Sequence, residues 1–270
     1  MNKWLYCHPR LALLLPYIPA LGILLFCCYQ GWLTVPLAAF AACLLLLALL
    51  LPIRRAFASL LAEASKKLQM ECDAPGFLSI MEIMRSRKGL PPERRLLIEA
   101  NYALGLDAAG HAEQGLLCLR ACREESKTIH PALRYQFDMA YACVCAHAED
   151  GIAELPAALQ QLEQGYATMP FSPAMKTMIR RNLDTLCDVA QYHSGQYDGL
   201  IERFVARIEG YRNEPAMRRS MMLSAMWLAR VYEQLGRLRE ARAMYQFVAE
   251  NGNTLGVVEQ AKDALLRLEA

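Results

Sequence analysis

Residues 11–53 contain no charged side chain, whereas the rest of the chain sets apolar and charged positions at helical spacing. The apolar run breaks at Tyr29-Gln30-Gly31-Trp32, leaving two stretches, Leu11 to Cys28 and Leu33 to Ile53. At about 1.5 Å rise per residue each can cross a hydrocarbon core of about 30 Å. Pro16, Pro19 and Pro36 lie inside these stretches. Membrane helices tolerate proline where a neighbour satisfies the freed carbonyl. Gly22, Ala38, Ala39, Ala41 and Ala42 predict that the two helices approach closely and supply that neighbour. Beyond Arg55 the periodicity predicts helices at 56–71, 77–84, 93–109, 112–126, 131–148, 155–167, 173–193, 197–211, 216–235, 238–250 and 254–268. No segment reads as a strand. Breaks fall at Asp73-Ala74-Pro75-Gly76 and Gly89-Leu90-Pro91-Pro92. Pro92, Pro131, Pro156, Pro173 and Pro215 sit near helix starts, where a fixed φ suits the first turn.

Gly110, Gly151, Gly195 and Gly236 fall between paired helices at intervals of 41, 44 and 41 residues. A period in this range marks stacked supersecondary units that bury their apolar faces only against neighbours. The expected fold is therefore all-α, an N-terminal transmembrane hairpin followed by a solenoid of antiparallel helix pairs. Its expected domains are a membrane anchor at 1–55, a juxtamembrane helical pair at 56–92, and repeats at 93–270 with a C-terminal capping helix.

Charge sets the orientation. Lys3 and Arg10 precede the first span, Arg54 and Arg55 end the second, Lys66 and Lys67 follow, and the turn between the spans carries none. Positive flanks favour the cytoplasmic side, so both termini and the helical domain are expected in the cytoplasm of a two-span cell-membrane protein. Trp4, Tyr6, Tyr29 and Trp32 fall where aromatic rings prefer the lipid–water boundary. Residues 1–28 also have the basic start and apolar middle of a secretory signal, but Leu25-Phe26-Cys27-Cys28 offers no small-x-small cleavage site, so the first span is expected to be retained. Of the 29 basic residues, 25 follow residue 55, and they face all 27 acidic ones. Such a near-neutral domain has no composition for coating nucleic acid, and none is expected as a partner. Arg54, Arg55, Lys66 and Lys67 read equally as a surface for anionic headgroups or as topology signal and solvated face, while Arg85, Arg87, Lys88, Arg94 and Arg95 beyond them read as a solvated face. Most of the ten cysteines lie within the spans or within helical apolar patterns, which suits free thiols in a reducing compartment.

The stretch Ala225-Met226-Trp227-Leu228-Ala229-Arg230-Val231-Tyr232-Glu233-Gln234-Leu235-Gly236, followed by Arg237-Leu238-Arg239-Glu240-Ala241-Arg242-Ala243-Met244-Tyr245, closely resembles the tetratricopeptide repeat (TPR) family. Ala229, Tyr232, Gly236, Glu240-Ala241 and Tyr245 hold that family's spacing, and Val257 to Leu268 resembles its solvating end helix. The match is strongest over 222–268 and weakens towards the membrane. Around Gly195 it keeps Tyr197, Leu200 and Phe204, around Gly151 it is displaced by Pro156, and around Gly110 the small position is Gly115. The resemblance implies a concave face lined by the first helix of each pair, where a protein or peptide partner binds. Candidate partner-binding residues on that face are Asp138, Tyr141, Asn182, Tyr192, Met226, Arg230 and Glu233.

Chemistry is sparse in the sequence. Cys118, Cys122, Cys143, Cys145, His111 and His147 are close along the chain, yet no Cys-x-x-Cys spacing occurs and no metal site is expected. Phosphate-cradling loops, His-Glu-x-x-His and Gly-x-Ser-x-Gly are missing, so neither catalytic residues nor a cofactor are expected. His193 has a proton-carrying side chain but no nucleophile beside it in sequence. The chain therefore reads as a membrane-tethered scaffold or adaptor rather than an enzyme. The alternative is a structural subunit that self-associates or braces a membrane complex. A cytoplasm-only reporter fused after Ala270 is expected to be active. Activity of an extracytoplasmic reporter there, or a mature chain starting near residue 29, contradicts the topology.

Overall fold

The computed structural model describes residues 2–269, and among them there are helices and turns but no strand. The helices are α1 (Asn2–Cys7), α2 (Pro9–Tyr29), α3 (Val35–Gln69), α4 (Ala74–Arg85), α5 (Pro92–Ala108), α6 (Ala112–Ser126) and α7 (Pro131–Cys145). They continue with α8 (Leu155–Thr168), α9 (Pro173–His193), α10 (Leu200–Tyr211), α11 (Arg218–Gln234), α12 (Leu238–Asn251) and α13 (Gly256–Glu269). Single 3-10 turns, Glu149–Glu154 and Pro215–Met217, precede α8 and α11. Contacts divide the chain into two units between Ala64 and Ser65.

In the first unit, Leu11–Tyr29 and the long α3 are helices long and apolar enough to cross a membrane. The separate helix expected at 56–71 does not exist. Its residues continue the second apolar stretch in one 35-residue helix, because no proline or glycine interrupts the backbone between Ile53 and Gln69. Phe26 meets Trp32 edge-on at the turn, with ring centroids 6.3 Å apart. At the other end Tyr6 of α1 meets Phe57 of α3 at 6.1 Å. The close seam expected between the spans is not formed at Gly22, where an added Cβ would meet nothing within 4 Å. Leu14, Ile18, Leu25, Leu37, Leu44 and Leu47 stand exposed.

In the second unit most helices pack on a sequence neighbour: α4 on α5, α5 on α6, α7 on α8, α8 on α9, and α10 through α13 in series. Helix α4 begins three residues before its expected start, because the Asp73 side chain accepts from Gly76 N at 2.9 Å and caps it. Lys67 holds the same carboxylate at 3.0 Å. Three of the four expected turn glycines share one geometry. Gly110, Gly195 and Gly236 have φ of 88°, 75° and 71°. In each case the next residue's N–H reaches back five residues, as in Arg237 N to Tyr232 O at 2.8 Å. Gly151 belongs to another class. It lies in a 3-10 turn, where an added Cβ would stand 2.6 Å from Cys145 Cα, so close approach rather than turn geometry requires it. Gly115 likewise faces Ala103 O, 2.8 Å from an added Cβ, and brings α6 onto α5. The core runs continuously through α5 to α11, with Leu116, Leu119, Leu183, Leu200, Phe204 and Val231 fully enclosed.

The last helix returns to the first ones. Thr254 donates from its N–H and hydroxyl to Cys72 O, each at 3.2 Å, and accepts from Ala74 N at 3.2 Å. Asn253 donates to Glu71 O at 2.8 Å. Gly256 Cα lies 3.3 Å from the position of a Cβ on Gly110. Cys72 and Asn253 are the described non-glycine residues with positive φ, 54° and 52°, and they face each other in this clasp. Asparagine adopts left-handed backbone readily, but for an ordinary residue such as Cys72 it costs roughly 1–2 kcal/mol, so the clasp holds local strain there. A Cβ on Gly256 would meet Gly110 N at 2.3 Å, with backbone on both sides. Gly256→Ala is therefore expected to destabilise the protein by about 1–3 kcal/mol, the usual cost of overpacking. Gly210→Ala, which meets nothing within 4 Å, is expected to be neutral or slightly stabilising; thermal unfolding of the full chain in detergent compares the two.

Candidate functional site

Beside the clasp lies a partly open pocket of about 80 Å³, room for about three waters. Asp107 closes it from the last turn of α5, His147 from the end of α7, Arg219, Trp227 and Arg230 from α11, and Gln260 from α13. Leu223, Met226, Leu255 and Val257 form its apolar wall. Helical spacing explains the α11 contribution. Positions 219, 223, 226, 227 and 230 recur at intervals of three or four and so share one face.

The Asp107 side chain is 3% exposed. Its Oδ1 lies 2.8 Å from His147 Nδ1, and its Oδ2 lies 3.5 Å from an Arg219 terminal nitrogen. A carboxylate taken out of water needs such partners, since an unpaired one costs several kcal/mol. Trp227 is 2% exposed and forms the floor. The His147 ring stacks on it at 5.8 Å and 14°, while Tyr192 and His193 meet it edge-on at 5.2 and 5.4 Å. The Arg230 guanidinium stands 4.5 Å over the indole and donates to Gln260 Oε1 at 2.9 Å. Among the described residues no carboxylate forms an ion pair with Arg230, and burial pulls its pKa down. The Arg219 Nε is buried without a hydrogen-bond partner.

Neither histidine nor thiol here is placed for nucleophilic chemistry. Burial lowers the His193 pKa, and its Nε2 lies 3.1 Å from Ala146 O, so that nitrogen carries the proton and donates it. Burial pushes the Cys143 thiol up to about 11, and a protonated thiol is a poor nucleophile. Cys145 is pushed up to about 12 for the same reason. Cys118 and Cys122 are also raised by burial. Among the described residues no three His, Cys, Asp or Glu side chains gather around one point as a metal would require.

The seven candidate residues do not gather into one groove. Met226 and Arg230 line the cavity, and Tyr192 packs on its tryptophan. Glu233 accepts from the buried Tyr245 hydroxyl. Asp138 and Tyr141 share a second, smaller pocket with Arg123 and Gln161, where Gln161 donates to Asp138 at 3.1 Å and burial raises the carboxyl pKa. Tyr141 is 4% exposed and donates to Glu154, which also holds Arg120 at 2.6 Å and Arg123 at 3.1 Å. Burial and that bond raise the Tyr141 phenol to about 12. Asn182 stands alone in being exposed outright. Sequence reading missed Asp107, Arg219, Trp227 and Gln260. The available signal was Asp107 itself, a lone charge between Leu106 and Ala108 in an otherwise apolar turn. Among the juxtamembrane basic residues, Arg85 pairs with Glu99, Arg95 with Glu125, and Lys66 and Lys67 with Glu71, so much of that charge is met within the protein.

Comparison with family models, curated proteins and solved structures returned no match.

Asp107→Ala leaves Arg219 buried without its counter-ion and is expected to lower stability by about 3–5 kcal/mol. A chemical-denaturation midpoint unchanged from wild type contradicts the arrangement. His193 has a folded pKa below its ordinary value of 6.5, so the unfolded chain binds the proton more readily. Its contribution is therefore full above pH 6.5 and is lost progressively as pH falls from there to the depressed folded value. His193→Gln is expected to remove that part of the acid destabilisation, measured as a flatter dependence of melting temperature on pH below 6.5.

Proposed function

We propose that this chain is a membrane-tethered interaction scaffold, whose two spans form a retained hairpin with both ends in the cytoplasm and whose second unit is a TPR-like array that recruits a protein partner. The observation that carries the reading is the division of the chain into a unit with two span-length apolar helices and a separately packed helical unit. The Tyr6–Phe57 contact agrees with both ends of the hairpin lying on one side, as the flanking charges require. Three turns of one geometry support repetition. So does the burial of Ala229, Ala241 and Tyr245, which hold the family's close-approach and gap-filling positions at 0%, 0% and 1% exposure.

With Tyr141 and Met226 occupied in the interior, partner capture falls to the exposed side of α9. There Asn182 stands with Met175 and Met178, flanked by Lys176 and Arg181. A second reading, a self-associating subunit of a membrane complex, is favoured by one feature. The apolar side chains of both spans stand exposed, and Gly22 faces open space.

A photo-crosslinker placed at position 182 of the full chain in intact membranes separates the two readings. The scaffold reading expects one heavier product containing a different protein, lost on Met178→Glu and not formed from position 266. Crosslinked dimers of this chain, or equal yields from both positions, put the self-associating subunit ahead.

A further inference from the structure

We propose that the cavity between α5, α7, α11 and α13 is a binding site for a small monocarboxylate, a short-chain organic acid of about four carbons. The proposal is independent of the scaffold reading, because the pocket is lined wholly by the second unit's own residues.

Charge is the first argument. The cavity is lined by two guanidinium groups, Arg219 and Arg230, against one carboxylate, Asp107. Asp107 is already engaged by His147 at 2.8 Å and Arg219 at 3.5 Å. That leaves Arg230 half-buried, hydrogen-bonded to a neutral amide and set over an indole face with only the longer-range attraction of Glu233, and Arg219 Nε without a hydrogen-bond partner. Burial draws the Arg230 pKa down, and an anion beside it would offset that effect. A single negative charge restores the balance. A phosphate dianion overshoots it and faces the Asp107 carboxylate. The planar guanidinium fork also matches a carboxylate, which accepts two parallel N–H bonds.

Shape is the second argument. The 80 Å³ pocket is small and open on one side, so it admits the carboxylate and first carbons of a short acid and nothing bulky. Between the two arginines the wall is Leu223, Met226, Trp227 and Val257, which suits a hydrocarbon tail and gives water few partners. The carboxylate is placed at Arg230 and Gln260, and the tail along Met226 and Trp227.

Isothermal titration calorimetry on the full chain in detergent, with empty micelles as the blank, tests this with butyrate, butyramide, inorganic phosphate and a tetra-alanine peptide with a free C-terminus. Butyrate is expected to bind with one-to-one stoichiometry. Butyramide, phosphate and the peptide are each expected to bind at least about tenfold more weakly, the size of one charge-assisted contact. Arg230→Gln is expected to weaken butyrate by about tenfold or more and Arg230→Lys by less, while circular dichroism stays unchanged. If Arg230→Gln fails to fold, the lysine variant and the butyrate-to-butyramide ratio in the wild-type chain carry the test. Equal affinity for butyrate and butyramide, tighter binding of phosphate or the peptide, or no heat with butyrate at millimolar concentration each overturns the proposal.

Discussion

A run of helices packed on their sequence neighbours has two ends, and each end leaves an apolar face without a partner. The second unit answers that constraint by bringing its last helix back to its own beginning. The start of α13 is fixed to the Cys72–Ala74 junction by Thr254 and Asn253 and to the α5–α6 turn by Gly256. The contact is so close that two glycines are needed at one point, and two non-glycine residues adopt left-handed backbone at the other. Strain of that kind persists only where the surrounding structure over-determines it.

Closure decides what becomes of the inner helix faces. In an open array they would line a groove for an extended peptide. Here Ala100, Tyr141, Cys145, Val189 and Met226 are buried, and the space left beside α11 is a small, partly open pocket. Its polar groups are held in a chain of contacts that links distant helices. Asp107 of α5 meets His147 and Arg219, His147 stacks on Trp227, and Trp227 carries Arg230, which reaches Gln260 of α13. Buried charge of this kind gives little net stability, but it penalises any packing that separates the partners. Under the two proposals above, interaction with other proteins is left to the exposed side of the helices and the centre to a small molecule.

Much of the fold was legible because helices are local. Proline at the first turns of α5, α7 and α9, together with glycine at the turns after α5, α9 and α11, marks boundaries that tertiary packing left in place. Three features were not legible, for different reasons. The second apolar stretch and the helix after it are continuous because Arg54-Arg55 signals topology without breaking a helix. Gly151 has the right spacing for a turn glycine but is required by contact with Cys145, and spacing alone cannot distinguish those causes. The clasp joins positions about 180 residues apart, and its signal is a Gly-Asn-Thr-Leu-Gly run that reads as an ordinary loop. The site suffered most from this. The family resemblance placed Met226 and Arg230 on the inner face, but the residues opposite them come from the returning helix and from α5.

Native-state hydrogen exchange on α13 and on residues 72–84 tests the closed arrangement most directly. In a closed unit the two segments open together, so their amides share similar protection and lose it in parallel as denaturant is added. An open array frays from its free end. Amides of α13 that exchange far faster than those of α4, and that are insensitive to the state of the Cys72–Ala74 junction, would contradict closure.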